Sequence, residues 1–451
     1  MRALVAIALL ATTQAVAAPV SATLHGDLKS FYVTSFPSQW LTLSDDAAPL
    51  IDAMGLTEDE ALQALGLSSD PMAMGSASAR LKLDARWRAL RLEAHGALTS
   101  GTAVPDSGLP GMSTGAGLSA PEALPLSWRP DTGGGMTALG RMDRLTLSAA
   151  LHRVDLSVGR QPISFGTGMF FTPMDLVNPF HPATIDTEYK PGVDSLRVDA
   201  YAGVSSKITV AVAYAGDAPL VGPERSEGGA PLDDLVLAAT AQGTVGVTDV
   251  IGFAGAVHGE PVLGLGTMSS VGPVGLHGEL TLTLPTDEDP FVRAVAGADW
   301  RPTGTTTLMA EGYVQTLGGA GPSHYLDNAH SERLARGELW QLGRSYAALS
   351  VAQEITPLVA ANAALVANVE DPSGLGVAGL SWSVADNATV GAGAYLGLGQ
   401  RPEEVPLSLA LDPSTGAPSL IPPSDEALAT SVRSEFGLYP SALYLQLRTY
   451  F

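Results

Sequence analysis

Ten of the 24 basic residues in this 451-residue chain fall between Arg80 and Arg160, and their spacing is the first chemical signal in the sequence. Arg80, Lys82 and Arg86 share one parity of an alternating segment, Arg91 and Arg144 continue the pattern, and Arg153 stands near it. Asp84, Glu93, Asp143 and Asp155 alternate with them. Side chains of one parity line one face of a strand. Such a face can attract anions and pass carboxylates from one cation to the next, or it can pair its own charges across strands and stiffen a wall. Neither role makes or breaks a covalent bond. Bond-making groupings are not evident: His25, His95, His152, His181, His258, His277, His324 and His330 are scattered, with no pair at metal-ligand spacing. Nothing in the spacing argues for a nucleophile, base and orienter held together. The sequence therefore suggests no catalytic residue, no metal, no cofactor and no enzyme.

The elements that must position these charges are strands. The segment SALYLQLRTYF (441–451) puts Leu443, Leu445, Leu447, Thr449 and Phe451 on one face and Tyr444, Gln446, Arg448 and Tyr450 on the other. Eighteen alternating segments of this kind run from residues 23–33 to residues 441–451. Most have the roughly 9 to 11 residues that a tilted strand needs to cross a bilayer. The connections sort by length: those after even-numbered segments have at most five residues, and every long one follows an odd-numbered segment. That asymmetry belongs to a membrane barrel with short turns at one end and long loops at the other. The expected fold is all-β, a transmembrane antiparallel up-and-down β-barrel of about 18 strands, with short helices in its external loops. Helices are expected at 424–437, capped by Ser424, and at 56–66, capped by Thr57. Trp87, Trp300, Trp382 and Phe451 lie at inner strand ends on the apolar phase, where an interfacial girdle belongs.

Residues 1–22 read as a secretory signal peptide, with cleavage after Ala17 or Ala22, leaving 23–451 as one barrel domain without a preceding plug. There is no cysteine, so stability rests on packing and hydrogen bonding. A net charge of −22 argues against nucleic acid as a partner. After the leader, no run of about 18 apolar residues suggests a spanning helix.

Residues 159–199, GRQPISFGTGMFFTPMDLVNPFHPATIDTEYKPGVDSLRVD, are richer in aromatic, proline and charged residues than their neighbours. Pro162 ends ladder pairing and opens an external loop over 162–192. Phe165, Met169, Phe170, Phe171, Phe180 and Tyr189 give that loop too much apolar surface to hang in water, so it folds into the lumen or lies over the rim. Arg160 and Arg197 flank it, near Asp175, Asp186, Glu188, Lys190 and Asp194. It is either a pore-narrowing loop whose charges sort solutes or an ion-paired latch. Gly159-Arg160-Gln161 followed by Gly166 resembles the strand end of porin-like outer-membrane families, including the alginate-export-like channels. The resemblance implies an 18-stranded channel, and the aromatic last residue resembles the signal read by the barrel-insertion machinery. The sequence thus leads to a porin-like channel in the outer membrane of a diderm bacterium, in contact with the lipid bilayer, passing small hydrophilic solutes, anions among them. The alternatives are a non-conducting surface barrel whose loops bind a partner or polymer, and a polysaccharide-export channel. Oligomeric state is not legible.

Overall fold

The computed structural model describes residues 20–36, 40–53, 55, 57, 60–61, 71–102, 121–132, 136–177, 188–216, 219–220, 233–335, 337–411, 418–421 and 423–451. The first nine barrel strands are β1 (Ser21–Phe36), β2 (Met72–Trp87), β3 (Leu90–Gly101), β4 (Thr137–Leu151), β5 (Val154–Gln161), β6 (Val193–Tyr201), β7 (Lys207–Tyr214), β8 (Leu235–Val245) and β9 (Thr248–Val257). The next nine are β10 (Glu260–Val271), β11 (Val274–Thr283), β12 (Phe291–Trp300), β13 (Thr306–Gln315), β14 (Ser345–Thr356), β15 (Val359–Asn368), β16 (Ser373–Ala385), β17 (Ala388–Leu398) and β18 (Ser441–Tyr450). Each pairs antiparallel with its chain neighbours. The ring closes where β18 pairs with β1, from Asp27 opposite Tyr450 to Phe36 opposite Ser441. Main-chain bonds between Gly26 and Phe451 extend that seam. Closure leaves no edge of unpaired amides, which hydrocarbon would not tolerate.

All eighteen expected strands are present, the connections at one end have at most five residues each, and every long connection lies at the other end. Two of the short turns place Arg88 and His152 at φ 53° and 57°, the left-handed conformation that two-residue hairpins require. The chief difference is β2, which starts at Met72 rather than near residue 79. MAMGSAS has no apolar alternation to betray a strand, but it pairs with the outer half of β1, Ser35 opposite Met72. The helix capped by Ser424 spans Asp425–Ser431, and the Ser424 hydroxyl accepts from the Ala427 amide at 3.2 Å. It stops short of Gly437, with a separate 3-10 turn at Phe436–Leu438. Thr57 and Glu60 make a reciprocal cap; most of 56–66, like residues 1–19, lies outside the described residues. Because β1 begins at Ser21, cleavage after Ala22 would remove its first two residues, whereas cleavage after Ala17 leaves it whole.

The two-residue period sorts the wall. Leu24, Leu28, Leu81, Leu145, Leu147, Leu263, Leu265, Leu443, Leu445 and Leu447 are exposed on the outside. A continuous apolar belt of this extent suits hydrocarbon rather than water. The inward phase is not uniform. At the long-loop end it is buried, as with Phe31, Val33, Phe291, Val295, Tyr313 and Tyr346. Toward the short turns, His25, Arg86, Arg91, Asp299 and Gln353 are partly or fully exposed. The lumen is filled at one end and hollow at the other.

Candidate functional site

The filling is the loop between β5 and β6. Its start is set by Gly159, at φ 113°, where any side chain would collide with the Leu145 carbonyl. Arg160 follows on the parity of Leu156 and Val158, the outward phase of β5. Its guanidinium is fully buried, with Nε and Nη2 donating to Asp194 at 3.0 and 2.8 Å, Nη1 to Glu122 at 3.0 Å, and Nη2 to the Leu124 carbonyl at 2.7 Å. Arg160 is thus outward-facing and buried rather than turned into the lumen, and it pins the segment 122–128 to the wall. Gln161 returns to the inward phase and is buried.

From there the loop turns into the lumen. Ile163, Met174, Leu176 and Val177 pack on the inner faces of β6–β10, against Val193, Ala211, Ala213, Val236, Ala238, Phe253 and Val262. Phe165 meets the Phe253 ring at 5.7 Å. Phe171 stacks on Tyr313 at 4.8 Å and approaches Tyr346 at 6.0 Å, with Phe170 packed beside this cluster. Two inward carboxylates hold the main chain. Glu279 on β11 accepts from the amides of Thr167, Gly168 (2.6 Å) and Met174 (2.9 Å). Glu311 on β13 accepts from Met169 (2.6 Å), Phe170 (2.9 Å) and Phe171 (3.1 Å). Converging amides around a carboxylate are charge-assisted hydrogen bonds, about 1.5–3 kcal/mol each. Gly168 is required at this bend, since a Cβ there would strike the Phe171 carbonyl.

The two legs of the loop are tied by Lys190 and Asp175, 2.5 Å apart and largely buried. On the returning leg, Glu188 pairs with Lys29 at 3.3 Å and with Arg448. The Tyr189 hydroxyl bonds Lys82, and its ring has the charged groups of Lys82, Arg80, Lys29 and Arg448 at 4.2, 4.4, 5.5 and 5.8 Å. β2 and β11 stand nine strands apart in a ring of eighteen. The loop that reaches both Glu279 and Lys82 consequently crosses the lumen from one wall to the opposite one. Phe180 and Asp186 lie outside the described residues.

The basic wall is heavily ion-paired. Arg80 pairs with Asp143, Lys82 with Asp27 at 2.8 Å, Arg91 with Asp84 and Glu93 at 2.7 and 2.6 Å, and Arg197 with Asp199 at 2.7 Å. Arg144 donates to the Asp143 and Lys190 carbonyls. Arg86 lies 3.7 Å from Asp84 and remains largely exposed at the hollow end. Arg153 sits in the turn between β4 and β5 rather than on a strand. Trp87, Trp300, Trp382 and Phe451 all point outward and are exposed. Glu279, Glu311, Lys29, Arg448 and Arg293 escaped the sequence reading as site residues. The inward parity of Glu279 and Glu311 was available, but not the loop they hold.

A second cluster caps the lumen. Glu435, in the 399–440 loop, is buried and accepts from Tyr346, from Asn368 Nδ2 at 2.6 Å and from the Leu342 amide at 3.1 Å. Its own amide donates to Asp371 at 2.8 Å. Burial raises its pKa to about 7.

No protein-family model and no curated protein matches the sequence. Solved structures do match. OccAB2 of Acinetobacter baumannii superposes with a TM-score of 0.52 at 8% identity, covering 95% of this chain and 98% of that one. OpdK of Pseudomonas aeruginosa, solved with vanillate, gives 0.52 at 10% identity over the same shares. The fold is that of a porin barrel. OccAB1 of A. baumannii gives 0.50 at 9% identity, covering 95% and 96%. The porin likeness read from the sequence holds at the level of fold, and its alginate-export part gains no support from these neighbours.

Proposed function

We propose that this porin-like barrel is an outer-membrane channel for small hydrophilic solutes, its passage narrowed by the 162–192 loop and biased toward anions. The short turns then face the periplasm and the long loops the exterior. The observation that carries this reading is the loop's course across the lumen, gripped by Glu279 and Glu311 on one side and meeting a cationic wall on the other. Among the described residues, that wall sets Lys29, Arg80, Lys82, Arg144 and Arg448 against Asp27, Asp143 and Glu188. The excess of cations supports anion preference in a confined lumen. A solute such as the vanillate found with OpdK, an aromatic carboxylate, fits that chemistry. The burial of Phe171 and Met174 at the loop end favours a second reading, a barrel closed by its own loop.

Reconstitution of the folded protein in a planar bilayer separates these. Single-channel current under a salt gradient should show an open channel with an anion-selective reversal potential, and deletion of residues 166–188 should raise its conductance. Cation selectivity would remove the anion bias and keep the channel. A silent wild type with a conducting deletion variant would establish the barrel closed by its own loop, and silence from both folded proteins would overturn the channel.

A further inference from the structure

Among the described residues, Arg293 is an inward cation with no ion pair and an unpartnered guanidinium edge. It lies on β12 near the long-loop end, is 3% exposed, and donates from Nη1 to the Glu338 carbonyl at 2.9 Å. Its Nε and Nη2 have no hydrogen-bond partner, although both are buried. The same Nε–Nη2 edge of Arg160 is closed by Asp194, and that of Arg91 by Asp84. Two carboxylates stand near Arg293 and both are engaged elsewhere: Asp175 with Lys190 at 2.5 Å and Glu338 with Arg333 at 3.1 Å. Directly across the β11–β12 ladder, the buried Thr281 hydroxyl is also without a partner, as is that of Thr283. Leaving a guanidinium edge buried without an acceptor is strongly unfavourable. Arg293 opens onto a cavity of 30 Å³ bounded by Phe170, Thr172, Tyr313 and Trp340, enough for one small ion or a water or two.

We propose that Arg293 forms a buried anion-binding site on the wall away from the basic cluster of β1 and β2, taking a small anion that presents two acceptor atoms to the Nε–Nη2 edge. A carboxylate end of a solute and a free planar oxyanion share this chemistry. The site does not depend on conduction. It holds its ligand between the wall and the inward loop, so occupancy would also brace the loop.

The test is calorimetric titration of the folded full chain in detergent micelles, at constant ionic strength, with sodium formate, sodium nitrate and sodium chloride. Saturable binding of formate and nitrate at one site per chain is expected, with chloride weaker because it offers a single acceptor. Arg293→Gln should weaken formate binding by about tenfold or more. Arg293→Lys, which keeps the charge and loses the fork, should weaken formate more than chloride and serves if the glutamine variant does not fold. Arg88→Gln, in the short turn between β2 and β3, should leave the titration unchanged. Absence of saturable binding by wild type, equal affinity for chloride, or unaltered binding in a folded Arg293 variant would each overturn the assignment. A silent bilayer record with intact formate binding would count against the channel alone.

Discussion

Arg160 and Arg86 carry the same charge in very different settings. Arg160 is fully buried and bridges Asp194 and Glu122, while the Arg86 side chain is 63% exposed beside Asp84. Removing one member of a buried pair strands the other, at about 3–5 kcal/mol, whereas an exposed pair contributes about 0–1 kcal/mol. Arg160→Ala should therefore lower the urea midpoint of the refolded barrel markedly, and Arg86→Ala should leave it nearly unchanged. The contrast also shows where sequence reasoning loses sight of a residue. Parity counted along β5 assigns Arg160 to the outward face, yet only the segment 122–128, folded over that face, explains why a cation is tolerated there. The acceptors at Glu122 and Leu124 lie 38 and 36 residues away and follow no period.

Strands were legible because their signal is local: each step of two residues repeats the choice between hydrocarbon and lumen. The exception, Met72–Ser78, is built of small residues and takes its conformation from β1. The inward loop was legible as apolar and charged, but its direction was not, since Glu279 and Glu311 act on amides 105 to 142 residues earlier. Glu279→Gln combined with Glu311→Gln removes both charges while keeping shape. Protease cleavage within 166–175 should accelerate, and single-channel conductance should rise. The cap at Glu435 responds to pH. Its folded pKa, about 7, lies above the ordinary 4.5, so the stabilisation of the cap is fully present below pH 4.5 and is lost as pH rises to 7. The loss is about 3 kcal/mol at 1.36 kcal/mol per pKa unit. Hydrogen exchange at Leu342 and Glu435 should be slower at pH 5 than at pH 8 after correction for intrinsic rates, and Glu435→Gln should flatten the difference.

Across the whole molecule, the ring of eighteen strands is a rigid frame, and the loop from β5 to β6 is a crosspiece fixed to opposite sides of it. Most of that fixing on the β11–β13 side engages peptide N–H groups rather than side chains. Amides are common to every residue type but proline, so this part of the grip does not depend on which side chains the crosspiece carries. Met169 is 63% exposed although its amide is held at 2.6 Å. Gly168 is fixed by its bend, but its neighbour can change without releasing the chain. In the channel we propose, what the passage accepts can be revised by substitutions at the crosspiece while the architecture stays intact, and divergence of solute preference then needs no compensating change in the wall.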